Sequence, residues 1–144
     1  MLHRMVLVAR ARVDLGEGAL NGDLGLMLAA HMKASVEREM TGGLVWLDGY
    51  FLDVLEGDRE TLRGFFLAIA ADPRISDLRS EEFLPIARRQ YTRWSVARGD
   101  AAIYDMSALR ALREGHASAA QASELVAQCL RSATLAESPP LAAA

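Results

Sequence analysis

Apolar residues recur along this chain with two periods, and the changes of period mark its elements. From Met5 to Ala9 both faces of a strand are apolar, Met5, Leu7 and Ala9 on one and Val6 and Val8 on the other, as in a central strand covered on both sides. Arg10 to Asn21, with Gly16 and Gly18, reads as a connection. Asn21 or Asp23 can then cap a helix to about Arg38, which aligns Leu24, Met27, Leu28, His31 and Ser35 along one side. The period returns to two in a hairpin: Leu44 to Leu47, the turn Asp48-Gly49, and Tyr50 to Leu55, with Glu56-Gly57-Asp58 stopping the strand and Asp58 placed to cap a helix. On the returning strand Phe51, Asp53 and Leu55 share one face, so one carboxylate stands in line with two large apolar side chains.

A second helix over about Arg59 to Ala71 carries the stripe Leu62, Phe65, Phe66 and Ile69 and ends at Asp72-Pro73. Leu78 to Ile86 and Arg93 to Ala97 supply two further strands. Met106 to Arg113, capped near Ser107, and Ala117 to Ala133 supply two more helices, separated by Gly115. The order predicts an α+β fold, a ferredoxin-like βαββαββ sheet with two helices on one face and the C-terminal helices on the other. The expected division is a core over 1–97, a helical cap over 98–136 and a flexible tail over 137–144, where SPPLAAA shows no periodicity.

Bulk properties remove some function classes. A chain of 144 residues suits one domain that buries about two-thirds of its surface without staples. The net charge of −3 offers nothing to nucleic acid, and Arg88-Arg89 reads as a solvated loop. One cysteine, Cys129, excludes an intramolecular disulfide and a multi-cysteine metal site and fits a reducing compartment. The N-terminal apolar run is too short for a signal peptide, and no run of about 20 apolar residues could span a membrane, so a cytoplasmic location is expected.

Searches for catalytic chemistry return nothing. There is no phosphate loop, no metal-ligand spacing among His3, His31 and His116, and no Gly-x-Ser-x-Gly elbow. Cys129 among Leu125, Val126 and Leu130 reads as core, Trp46 and Trp94 as sheet packing, and His31 as a hydrogen-bonded core histidine.

Met40-Thr41-Gly42 through Phe51-Leu52-Asp53-Val54-Leu55-Glu56-Gly57 resembles the signature of the BLUF family, flavin-binding blue-light sensors. Leu2-His3-Arg4-Met5-Val6 resembles that family's opening strand, Asp72-Pro73-Arg74 its second-helix exit, Pro85-Ile86 its fourth strand and Trp94-Ser95-Val96 its Trp-Ser-Met element. The resemblance implies a site for FAD between two helices on one sheet face. At the positions it implies, most residues are substituted. Leu7 stands for the electron-donating tyrosine and Asp53 for the switching glutamine. Ala34 and Ser35 stand for an asparagine pair on the first helix, Ala68 for a basic side chain on the second, and Val96 for the methionine beside Trp94. His31 lies next to these positions. An ionised aspartate offers only acceptors, so it cannot reproduce the amide's bond to flavin.

These substitutions imply a degenerate member: a non-enzymatic sensory or regulatory domain, light-insensitive, with no cofactor or at most weakly held FAD. It would act through a protein partner or as a homo-oligomer. The alternatives are an FAD-binding photoreceptor with an atypical pocket, and a small-ligand module using Asp53, His31 and Ser35 in the vacated pocket.

Overall fold

The structure is a computed structural model that describes residues 1–11, 22–99 and 106–141, with the side chains of 11, 22–25, 106, 133 and 135 left out. The expected connection with Gly16 and Gly18, the Asn21 cap and the Leu24 side chain lie outside the described residues. The elements are β1 Leu2–Ala11, α1 Gly22–Glu37, β2 Thr41–Leu47, β3 Tyr50–Asp58, α2 Arg59–Ala70, β4 Ile75–Pro85, β5 Trp94–Arg98, α3 Met106–Arg113, α4 Ala119–Ala133 and β6 Thr134–Glu137. One six-stranded sheet has the order β4-β1-β3-β2-β5-β6, antiparallel except where β2 runs parallel to β5. The α+β ferredoxin-like reading therefore holds, with one strand added.

The hairpin forms where the turn chemistry allows it. Asp48 and Gly49 both take positive φ, 55° and 79°, the conformation a two-residue turn needs to match the strand twist. Gly42, at φ 136°, is required for a different reason: a Cβ there would stand 1.8 Å from the Val54 carbonyl oxygen. At the end of β3, Asp58 caps α2 by accepting the Glu60 N–H at 3.2 Å.

The strand period divides the buried residues into two cores. On one face Met5, Leu7, Ala9, Leu44, Phe51, Leu55, Trp94 and Val96 meet Met27 and Leu28 of α1 and Leu62, Phe65 and Ile69 of α2. On the other, Val6, Val8, Val45, Leu47, Leu52 and Val54 meet Leu109 and Leu112 of α3 and Leu125, Val126 and Cys129 of α4. Helix α4 lies so close that a Cβ on Gly43 would come within 2.5 Å of Leu130 Cδ1.

Two expectations need correction beyond small shifts of element ends. The strand after α2 begins at Ile75 rather than Leu78, because Asp72 folds the exit tightly: its carboxylate accepts the Arg74 N–H at 2.9 Å and its carbonyl accepts the Ile75 N–H at 3.2 Å. The chain from Glu137 is not a frayed tail. Thr134–Glu137 pairs with β5, Ser138 exchanges bonds with Trp94 (its N–H to the Trp94 carbonyl at 2.8 Å, its Oγ accepting the Trp94 N–H at 2.9 Å), and the Leu141 N–H reaches the Thr92 carbonyl at 2.7 Å. An edge of β5 with unpaired backbone groups explains why so short a segment docks. Residues 142–144 lie outside the description.

Candidate functional site

The register of the sheet sets Leu7, Asp53, Leu44 and Val96 side by side in one row across β1, β3, β2 and β5. Asp53 is thus flanked on its own sheet by Leu7 and Leu44. Above it lies a cavity of about 20 Å³, room for about one water, lined by Leu7, Ala9, Met27, His31, Leu44, Phe51, Asp53, Ile69, Ile75 and Leu78. Among these only His31, Ile75 and Leu78 are partly exposed, so the cavity opens between α1 and β4.

Asp53 is 4% exposed, and its Oδ1 has no hydrogen-bond partner. A carboxyl in line with Phe51 and Leu55 is expected to be paired, hydrated or protonated, with a bond to His31, to Ser35 or to a trapped water; the bond to His31 or Ser35 is absent, for a local reason. The His31 Nδ1–H donates to the Met27 carbonyl at 2.8 Å and the Ser35 hydroxyl donates to the His31 carbonyl at 2.9 Å, so each is satisfied one turn back along its own helix. Burial alone pushes the Asp53 carboxyl up to about 8, and at neutral pH it is the protonated acid. Protonation, one of the outcomes open to a buried carboxyl, is the one that burial favours, and the neutral acid carries an O–H donor that the ionised aspartate lacks. Burial holds the His31 imidazole below its ordinary value, while Asp72 and Arg74 push it in opposite directions. With Nδ1 carrying the proton, its Nε2 is an acceptor.

Of the eight positions singled out in the sequence, the cavity brings together Leu7, His31 and Asp53. Ala34 packs half-buried against the same core, and Val96 and Trp94 are buried in it. His31 stands edge-on to Phe65 at 5.0 Å and stacks near Trp94 at 6.4 Å. The indole Nε1 atoms of Trp94 and Trp46 have no partner, although Arg98 lies 4.8 Å from the Trp46 ring. Ser35 lines a separate cleft with Arg93 and Ser138 to Leu141, and Ala68 faces solvent on the outer side of α2.

Sequence reasoning missed a second buried carboxylate. Glu56, expected only to help stop the strand, is fully buried and accepts the Thr41 hydroxyl at 2.9 Å and the N–H groups of Gln90 and Tyr91 at 2.7 and 3.0 Å. Arg89, read as part of a solvated loop, donates to the Thr41 hydroxyl at 2.9 Å and to the Glu56 carbonyl at 3.0 Å. The available signal was Glu56 two residues before the capping Asp58, on a strand with apolar neighbours.

Tested against a flavin, the site does not fit. The enclosed space of about 20 Å³ has room for about one water and none for a three-ring flavin head, and the row that would face the ring is Leu7, Asp53, Leu44 and Val96. Among the described residues no group of three His, Cys, Asp or Glu side chains is placed to hold a metal. No described helix is long and apolar enough to cross a membrane.

Comparison with known proteins places these observations in a family. Among curated proteins the chain is 28% identical over 75 residues to the photoactivated adenylate cyclase subunit beta of Euglena longa, and 27% identical over 75 residues to that of Euglena gracilis, each match covering 51% of this chain. The chain spans only 9% of the length of these relatives. Among solved structures, a bacterial light-regulated adenylyl cyclase superposes with a TM-score of 0.64 at 20% identity, over 81% of this chain and 35% of that one. The BLUF protein BlrB in its dark state superposes with a TM-score of 0.62 at 22% identity, over 88% and 96% of the two chains. The photo-activated state of BlsA gives 0.62 at 16% identity, over 94% and 99%. At these identities the superpositions speak for the fold. The family match covers residues 2–97, and the chain belongs to the BLUF family, the sensors of blue-light using FAD.

Proposed function

We propose that this chain is a non-enzymatic regulatory member of the BLUF family that is insensitive to light, binds FAD weakly or not at all, and acts from the cytoplasm through protein contacts, self-association included. The observation that carries the reading is the pairing of Leu7 with Asp53, directly opposite each other in register at the positions matching the family's tyrosine and glutamine. A leucine has no electron to give, and a buried carboxylic acid is not an amide. The purified protein should be colourless and should show no spectral shift under blue light. A yellow preparation with stoichiometric FAD and a reversible red shift would overturn the reading. Light scattering tests self-association; a sharp monomer mass together with empty pull-downs would count against action through contacts.

A second reading, a small-ligand module in the vacated pocket, is favoured by one specific observation. Asp53 is a buried polar side chain lining a cavity, with a valence that no described protein group fills.

A further inference from the structure

We propose that the cavity beside Asp53 is a binding site for a small organic cation, a primary amine on an apolar body, with the Asp53 carboxylate as its counter-ion. The inference deepens the small-ligand reading and rests on the site being free of flavin.

Four features point to this chemistry. The space above Asp53 has the size of one water molecule, and an ammonium head is about as large. Among the described residues no arginine or lysine lines the cavity and Oδ1 is unpartnered, so no described positive group competes for the carboxyl. Around the head lie Phe51 and the His31 ring, and aromatic walls suit a cation. The way out, between His31 of α1 and Ile75 and Leu78 of β4, gives an apolar tail a route toward solvent. A metal ion is a poor fit, since among the described residues one carboxyl and one imidazole are the only polar side chains in the lining. A carboxylate ligand would meet the acid with no cation beside it.

The proton balance follows from the state of the site. The acid enters as Asp53–COOH; the amine arrives as R–NH3⁺. The O–H bond of Asp53 breaks, its proton goes to solvent, and an N–H donor of the ammonium takes its place on the carboxylate, with His31 Nε2 available to accept a second N–H. Each amine bound therefore releases one proton. The groups facing Asp53 leave this balance simple. Among the described residues His31 of α1 is the only other titratable side chain in the lining, whereas β1 presents Leu7 and Ala9, β2 Leu44, α2 Ile69 and β4 Ile75 and Leu78. The paired Asp72 and Arg74 act on His31 in opposite senses.

The test uses the whole purified chain with benzylamine, benzyl alcohol and benzoate as probes, followed by thermal melts and by calorimetry in two buffers of different ionisation heat. Benzylamine is expected to raise the melting temperature, to release close to one proton at pH 6.5, and to bind about tenfold tighter for each pH unit up to pH 7.5. Benzyl alcohol and benzoate should do none of this. Asp53→Asn should keep the melt and lose the preference for amine over alcohol. Equal binding of amine and alcohol, amine binding without proton release, no shift with benzylamine, or full amine affinity in Asp53→Asn would each overturn the proposal. FAD carried through purification would overturn the flavin-free reading, whereas failure of benzylamine on flavin-free protein would overturn this inference alone.

Discussion

Asp53 and Glu56 lie three residues apart on one strand, both buried, one facing each core. Glu56 accepts one hydroxyl and two backbone N–H groups and ties the segment before β5 to the hairpin. Asp53 holds no such bond and remains neutral. The difference shows that the fold can house a buried carboxyl in two ways: by aiming donors at the charge, or by denying it donors so that it keeps its proton. The first adds hydrogen bonds to the fold and the second adds none and costs stability once the carboxyl must ionise, which marks the Asp53 side as the one free to serve something other than the fold.

The largest expected effect falls on the satisfied partner. Glu56→Ala leaves the Thr41 hydroxyl and two N–H groups without their acceptor and should cost about 3 to 5 kcal/mol in urea unfolding, as when one member of a buried hydrogen-bonded network is removed. A loss below about 1 kcal/mol would mean water replaces the carboxylate freely and the contrast with Asp53 is false.

The second effect is on pH. The folded value of the Asp53 carboxyl is raised to about 8 by burial, well above the unfolded range. Its stabilising contribution is therefore complete below about pH 4 and is lost as pH climbs through 8, at about 1.4 kcal/mol per unit. His31 works the other way: its lowered value means stability falls as pH drops below about 6.5, the ordinary value of a histidine. Between pH 7 and 8 the Asp53 slope stands clear of it. Wild-type stability should fall by about 1 kcal/mol over that unit, less than the full slope because the folded carboxyl is itself beginning to ionise, while Asp53→Asn stays flat and is the more stable protein at pH 8. Parallel profiles for the two would sink the assignment.

A smaller effect concerns the C-terminal strand. Ser138→Ala removes the oxygen that accepts the buried Trp94 N–H and should cost about 1 to 2 kcal/mol, with faster hydrogen exchange at that amide. The smallest is a null result. Leu7→Tyr with Asp53→Gln should bring back no flavin absorbance, because neither change enlarges the cavity; strong FAD binding by the pair would show that those two positions alone had closed the site.

How much of this was legible in the sequence depended on range. The hairpin and its Asp48-Gly49 turn, the Asp58 cap, both helix stripes and the side of β3 that carries Asp53 follow from local period and turn chemistry. Glu56 escaped because its donors Gln90 and Tyr91 come from 34 and 35 residues further on, and nothing local announces them. β6 escaped because TLAE is only four residues long and is a strand by virtue of the edge it meets. The error at Asp53 was of another kind. The right helix and the right residues were identified, but His31 and Ser35 had nearer carbonyls in their own backbone.

The closeness of α4 to the sheet at Gly43 bears on what can be cut out of this protein. The region that carries the family resemblance ends at residue 97, yet a fragment ending there would strip Leu109, Leu112, Leu125, Val126 and Cys129 from the sheet and leave Val6, Val8, Val45, Leu52 and Val54 as one bare apolar sheet. Such a fragment should aggregate rather than fold. The recognisable part of the chain is therefore smaller than the part that can live alone, and any transplant of this module into another protein has to carry its last two helices with it.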